Sequence, residues 1–232
     1  MNDHSGYWDP LPAARTAADI PVPEAVPNLA LTLPHPETYL TGIWAERNWR
    51  NVPGPFYAAD TDTCWTGRMA APDHVVYDDA TGQEIVYRQP RNAVEVDRLL
   101  YAAWTDPLGG YGWDGDQHWT PDSVRAWWRE RARLREWATD LRVAWSDHSD
   151  PYRREAATGL SDLLLHLDGE LEADLRLYLH RLEERRPPPR PVERLPEPRP
   201  RDRGSSGRPG PNPLRSHSEV TPHRSAPPQG RA

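Results

Sequence analysis

The chain alternates short runs of apolar periodicity with stretches rich in proline and glycine, and the runs define its elements. In HPETYLTGIWAERNW, Tyr39, Leu40, Ile43, Trp44 and Arg47 recur at helical spacing behind Pro36 and Glu37, which predicts a short helix over 36–49. NVPGPFYAADTDTCWTGR then reads as loop, with a short strand around Phe56 and Tyr57. HVVYDDATGQEIVYRQP carries two β-branched and aromatic runs, 74–78 and 84–88, on either side of DATG. That pattern predicts a hairpin, which needs a further strand or a helical surface to be stable.

Helical signals dominate from there on. Asn92, with Glu95 three residues later, forms a reciprocal capping pattern ahead of the stripe Val96, Leu99, Leu100, Ala103 and Trp104. Thr120, Pro121 and Asp122 open a long helix predicted to run to Trp145. A Ser/Asp cap with Pro151 opens another, in which Gly159 costs about 1 kcal/mol relative to alanine. Leu171, Leu175, Tyr178, Leu179 and Leu182 share one face of the last segment, and the short LDGE step makes these two antiparallel helices or one bent helix. His166 and His180, with acidic neighbours, are expected to face solvent. The expected fold is α+β: a mostly helical single domain with a small antiparallel β-hairpin or sheet and a disordered Pro/Arg-rich tail.

Composition places the boundaries. Of 27 prolines, 13 lie in 187–232, which has almost no large apolar residue to offset the entropy of ordering it and is read as that tail. Residues 1–33 read as a flexible arm able to dock through Trp8 or the Leu29, Leu31, Leu33 alternation, leaving 34–186 as a Trp-rich globular domain. Residues 1–186 carry a net charge of −12 and the tail +5. An acidic body repels phosphate backbones, so the folded domain is not expected to bind nucleic acid. There is no lysine, which excludes Schiff-base chemistry and a P-loop lysine. The single cysteine excludes an internal disulfide and a cysteine-rich cluster. With no signal-peptide pattern and no segment of spanning length, a cytoplasmic location without membrane contact is expected.

Ten of the 11 tryptophans fall between Trp44 and Trp145. A helical stripe of indoles is ordinarily core, but Trp127 and Trp128 cannot both face inward. Trp113 and Trp119, in the loop GGYGWDGDQHWTPDS, are their natural mates, and together with Trp128 they are candidates for a binding surface. In the same loop Asp114, Asp116 and His118 alternate as metal ligands do when a loop wraps a cation, although a full calcium loop needs further acidic positions. Asp and Gly also stabilise plain turns. A second cluster offers Cys64 as a thiol nucleophile, with His74 or His118 as base and Asp62, Asp114 or Asp116 as orienting acid, against the plainer reading of an inert thiol. Arg88 and Arg91 in VYRQPRN stand just before a capped helix start, the most plausible place for an anion.

TYLTGIWAERNWRNVPGPFY, TDTCWTG, YRQPRN and GYGWDGDQHWTPDSVRAWW together resemble a family of uncharacterised proteins common in Streptomyces and related actinobacteria, over roughly residues 34–186. The resemblance implies no activity and no site residue. The functional expectation is therefore a binding or accessory protein, of the immunity type, that recognises a basic protein partner through its acidic, tryptophan-bearing surface and needs no cofactor. The alternative is a small enzyme built on Cys64, or a metal-binding loop at Asp114, Asp116 and His118.

Overall fold

A computed structural model describes residues 6–17 and 32–184. The proline-rich segment 187–232 and the arm residues Leu29 and Leu31 lie outside them. Seven helices and four short strands are present in the described residues, a helical α+β fold as the sequence predicts. In chain order these are α1 Leu11–Thr16, β1 Tyr57–Ala58, α2 Gly67–Ala70, β2 Val75–Tyr77, β3 Glu84–Val86, α3 Ala93–Thr105, β4 Tyr111–Gly112, α4 Pro121–Arg129, α5 Arg131–Ser146, α6 Pro151–Asp168 and α7 Leu171–Glu184. None of the helices is long and apolar enough to cross a membrane.

The predicted hairpin forms, with Val75 opposite Val86 and Tyr77 opposite Glu84. Its support is of both kinds anticipated: β2 lies on α6, while β3 neighbours β1. No ladder joins β1 to β3, and the side chain of Asn51 takes its place. Its amide donates to the Ala58 carbonyl at 2.7 Å, and its oxygen accepts from the N–H groups of Ala58 and Val86 at 3.0 and 2.8 Å. Satisfying these three backbone groups internally is what allows the ends of β1 and β3 to be buried.

Two helix predictions are corrected. Residues 36–49 form two isolated 3₁₀ turns, Pro36–Thr38 and Trp44–Glu46, with extended chain between them. Helical periodicity loses here to a tertiary pairing: Gly42 N–H donates to the Tyr111 carbonyl at 2.8 Å and the Thr41 hydroxyl to the Gly109 carbonyl at 3.0 Å. The long helix from Thr120 is broken at Glu130, whose N–H is shared between the carbonyls of Trp127 and Trp128. No Pro or Gly causes the break; a tightened turn does, and it lets α4 pack on α7 while α5 lies along α6. Both predicted caps hold, with the Thr120 hydroxyl accepting from Ser123 N–H and the Asn92 oxygen accepting from Glu95 N–H at 3.0 Å.

One core runs through the domain. Leu99 and Leu100 of α3, Leu134 of α5, Leu160 and Leu163 of α6 and Leu171 and Leu175 of α7 are almost fully buried. All ten tryptophans from Trp44 to Trp145 lie in this core or against it, Trp119, Trp127 and Trp145 being buried outright. Trp119 packs edge-on to Trp44, not to the α4 pair, and the Trp127 indole N–H donates to the Trp49 carbonyl at 2.9 Å. The arm also docks: Leu11 and Ala14 are buried against α3, so ordered structure begins well before residue 34.

Gly159 has a specific use. The Arg68 side chain, only 4% exposed, lies across α6 and donates to Glu155 and Asp162 at 2.9 Å each and to the Pro72 carbonyl. A β-carbon at position 159 would stand 2.7 Å from its guanidinium carbon. Gly159→Ala is therefore expected to destabilise the protein by about 1–3 kcal/mol in spite of alanine's higher helix propensity, because a pinned guanidinium must be displaced. A urea unfolding midpoint that rises in the variant would contradict this.

Candidate functional site

Two glycine-containing loops distant in sequence meet through the pairing of β1 with β4, Tyr57 opposite Gly112 and Ala58 opposite Tyr111. Ala59 N–H donates to the Gly110 carbonyl at 2.8 Å, Gly115 N–H to the Pro55 carbonyl at 3.0 Å, and Asp62 N–H to Asp106 Oδ1 at 3.0 Å. The candidate residues thus come into one region, yet they do not converge on one point.

Asp114 and Asp116 turn to different partners. Asp114 Oδ1 accepts from the Tyr57 hydroxyl at 2.7 Å, and Oδ2 lies 2.9 Å from His118 Nε2. Burial raises the Asp114 carboxyl, but the bonds from Tyr57 and His118 outweigh it and hold the group below the usual carboxylate range. The His118 ring stacks on Trp44 at 4.8 Å, and the Arg47 guanidinium lies 3.7 Å from the centre of the Trp44 ring. Asp116 instead accepts from the Tyr178 hydroxyl and from Arg181 on α7, both at 2.8 Å. No group of three His, Cys, Asp or Glu side chains among the described residues is arranged to hold a metal ion. The alternation that suggested a cation loop serves to clamp the loop to β1 on one side and to α7 on the other.

Cys64 is exposed, and Asp62 accepts its backbone N–H at 3.1 Å. The Asp62 carboxylate beside it raises the thiol pKa, the reverse of what activates a nucleophile. No hydrogen bond joins Cys64 to either candidate base among the described residues. His118 is held by Asp114 and Trp44, and the fully buried His74 lies 2.9 Å through Nδ1 from the Arg88 carbonyl. Of the proposed binding tryptophans, Trp119 is buried, Trp113 and Trp128 are half-buried, and the Arg131 guanidinium sits 4.5 Å over Trp128.

Sequence reasoning pointed to Arg88 and Arg91 only as an anion site and missed what surrounds them. A cavity of about 630 Å³ lies between the β3–α3 connector, the α6–α7 step, the first turns of α7 and the arm at Gly6–Trp8. Arg91 donates to Glu170 at 2.6 Å and to Asp174, while its backbone N–H donates to Glu95 Oε2 at 2.8 Å. Glu95 also accepts from the Asn92 amide at 2.9 Å. The Gln89 side chain, in turn, is fully used on the Val52–Phe56 segment.

His166 lines this cavity with its side chain only 6% exposed, which corrects the solvent-facing expectation. The signal was present in the sequence, since position 166 continues the apolar stripe of Leu160, Leu163 and Leu167 on α6. Burial, with Arg91 and Arg88 nearby, depresses its pKa to about 3, so the imidazole is neutral. Burial raises the Asp174 carboxyl despite Arg91. Tyr7 and Tyr178 form an aromatic wall with ring centres 5.8 Å apart, fixed by Arg181, which pairs with Asp9 of the arm at 2.9 Å.

No protein-family model, curated protein or solved structure matches the chain.

Proposed function

We propose that the chain is a binding protein of the accessory kind whose recognition site is the cavity between α6, α7, the β3–α3 connector and the N-terminal arm. It accepts a small organic ligand there. The carrying observation is a partly open cavity of about 630 Å³, within the range of small-molecule sites, lined by the aromatic faces of Tyr7, Trp8 and Tyr178 together with buried polar groups. The accessory role read from composition is kept, and the recognition surface moves from the tryptophan loop to this cavity. A cytoplasmic setting belongs to the same proposal, which the lone exposed thiol of Cys64 suits.

The tryptophans give less support to a protein-docking face. The indole N–H groups of Trp127 and Trp137 are spent on Trp49 and Asp79, and arginines cover Trp44, Trp49 and Trp128. The exposed apolar side chains, such as Ile43, Met69, Val94 and Leu165, are spread over different elements.

Thermal unfolding in the presence of a chemically diverse small-molecule panel tests the reading. A ligand at about 100 times its Kd adds about 2.7 kcal/mol, which moves the midpoint of a domain this size by several degrees. At least one chemical class is expected to do so, and Leu177→Trp, which places an indole in the cavity wall, is expected to abolish the shift. A panel without effect, or a shift that survives the indole, overturns the reading.

A further inference from the structure

We propose that the ligand of this cavity carries an oxyanion, a carboxylate or a phosphate, which seats against the Arg88 guanidinium and the His166 imidazole. The inference rests on the cavity being the binding site, and it follows from which polar groups there are already satisfied. The acceptors are engaged: Glu170 and Asp174 by Arg91, and Glu95 by the Arg91 N–H and the Asn92 amide. The donors are not. Arg88 has no ion pair or side-chain hydrogen bond among the described residues, and its Nε is buried without a partner. The buried hydroxyl of the half-buried Tyr7 is likewise unpartnered, and burial keeps it protonated and so a donor. His166 makes no side-chain hydrogen bond to any described residue; its Nε2 comes only to 3.8 Å from Asp174 Oδ2.

Buried donors left open cost about 1–3 kcal/mol each, and a ligand that brings acceptors removes that cost. A cation would find carboxylates already taken. A neutral imidazole suits an anion seat beside Arg88, since it offers an N–H without a second charge for that guanidinium to repel. Arg88 and His166 sit together where the main cavity meets a smaller one of about 260 Å³ that they also line. Arg91, spent on two carboxylates, helps to fix the wall and is not the anion's partner.

Benzoate and inorganic phosphate are the probes, benzamide the uncharged control, each titrated into the full chain at pH 7. Affinity is read by calorimetry and the His166 ring by its ¹H–¹³C resonances. The expected result is that at least one anion binds, moves the His166 resonances, and loses tenfold or more in affinity in Arg88→Gln, with part of the loss recovered in Arg88→Lys. Thermal midpoints of both variants near that of the parent show that the fold is intact. Equal binding of benzamide and benzoate overturns the oxyanion seat and leaves the cavity reading standing. Anion binding that ignores Arg88→Gln or leaves His166 unmoved also overturns it. So does failure of both anions to bind while neutral compounds still raise the thermal midpoint.

Discussion

Gly110→Ala is expected to lower stability by about 3 kcal/mol. A β-carbon at this position would lie 2.4 Å from the backbone oxygen of Asp60, and a backbone atom cannot swing aside as a side-chain tip can. The glycine sits where the two loops are sewn together: its carbonyl accepts from Ala59 N–H at 2.8 Å and its N–H donates to Asp106 Oδ2 at 2.6 Å. Moving the loops apart would break the β1–β4 pairing and uncover Tyr57 and Tyr111, each at most 1% exposed. Equilibrium unfolding in urea measures the effect. A variant as stable as the parent would mean that the loops are not in contact.

Glu84→Gln is expected to act in the opposite direction, increasingly as the pH rises from about 4.5 to about 7. The Glu84 carboxyl is 1% exposed, accepts from Gly67 N–H at 2.7 Å and from the Tyr111 hydroxyl, and has Asp106 and Asp62 nearby. Burial lifts its pKa to about 7 from 4.5; the bonds from Tyr111 and Gly67 pull it back only in part. A folded-state pKa above the unfolded one means that the native state holds the proton more tightly. This group's contribution to stability is therefore complete below about pH 4.5 and is lost as the pH rises through about 7. The difference corresponds to about 3 kcal/mol between those limits. Glutamine keeps the shape and cannot ionise, so the variant should match the parent near pH 4 and exceed it near pH 8 in urea midpoint. Parallel pH profiles for the two proteins would rule the assignment out.

Local chemistry carried most of the fold into view from the sequence. The hairpin around DATG, the Asn92 and Thr120 caps and the α6–α7 step are each fixed by neighbours within a few residues, and each appears where the pattern puts it. The failures share a cause. Residues 36–49 have helical periodicity, but Gly42 is claimed by the Tyr111 carbonyl, almost 70 residues away, and no local pattern records that competition. The break at Glu130 has no proline or glycine to announce it. It follows from the need of Trp127 to reach the Trp49 carbonyl while α5 settles on α6.

The site was legible in part. Arg88 and Arg91 stand before a helix start, which suggests an anion, but only the folded chain shows that Arg91 is neutralised by α7 and Arg88 is not. Charge alternation at Asp114, Asp116 and His118 was the more conspicuous signal. It led elsewhere because spacing along a loop does not say which side of the chain each carboxylate leaves from, and here they leave toward Tyr57 and toward Tyr178.

Native mass spectrometry of the protein isolated gently from extract of the cells that encode it, set beside Leu177→Trp prepared in the same way, puts the cavity to the most direct trial. The account predicts a discrete adduct of small-molecule mass, one per chain, on the parent protein and its absence from the variant. A parent protein that emerges bare, or an adduct retained in full when the indole occupies the cavity, would contradict it.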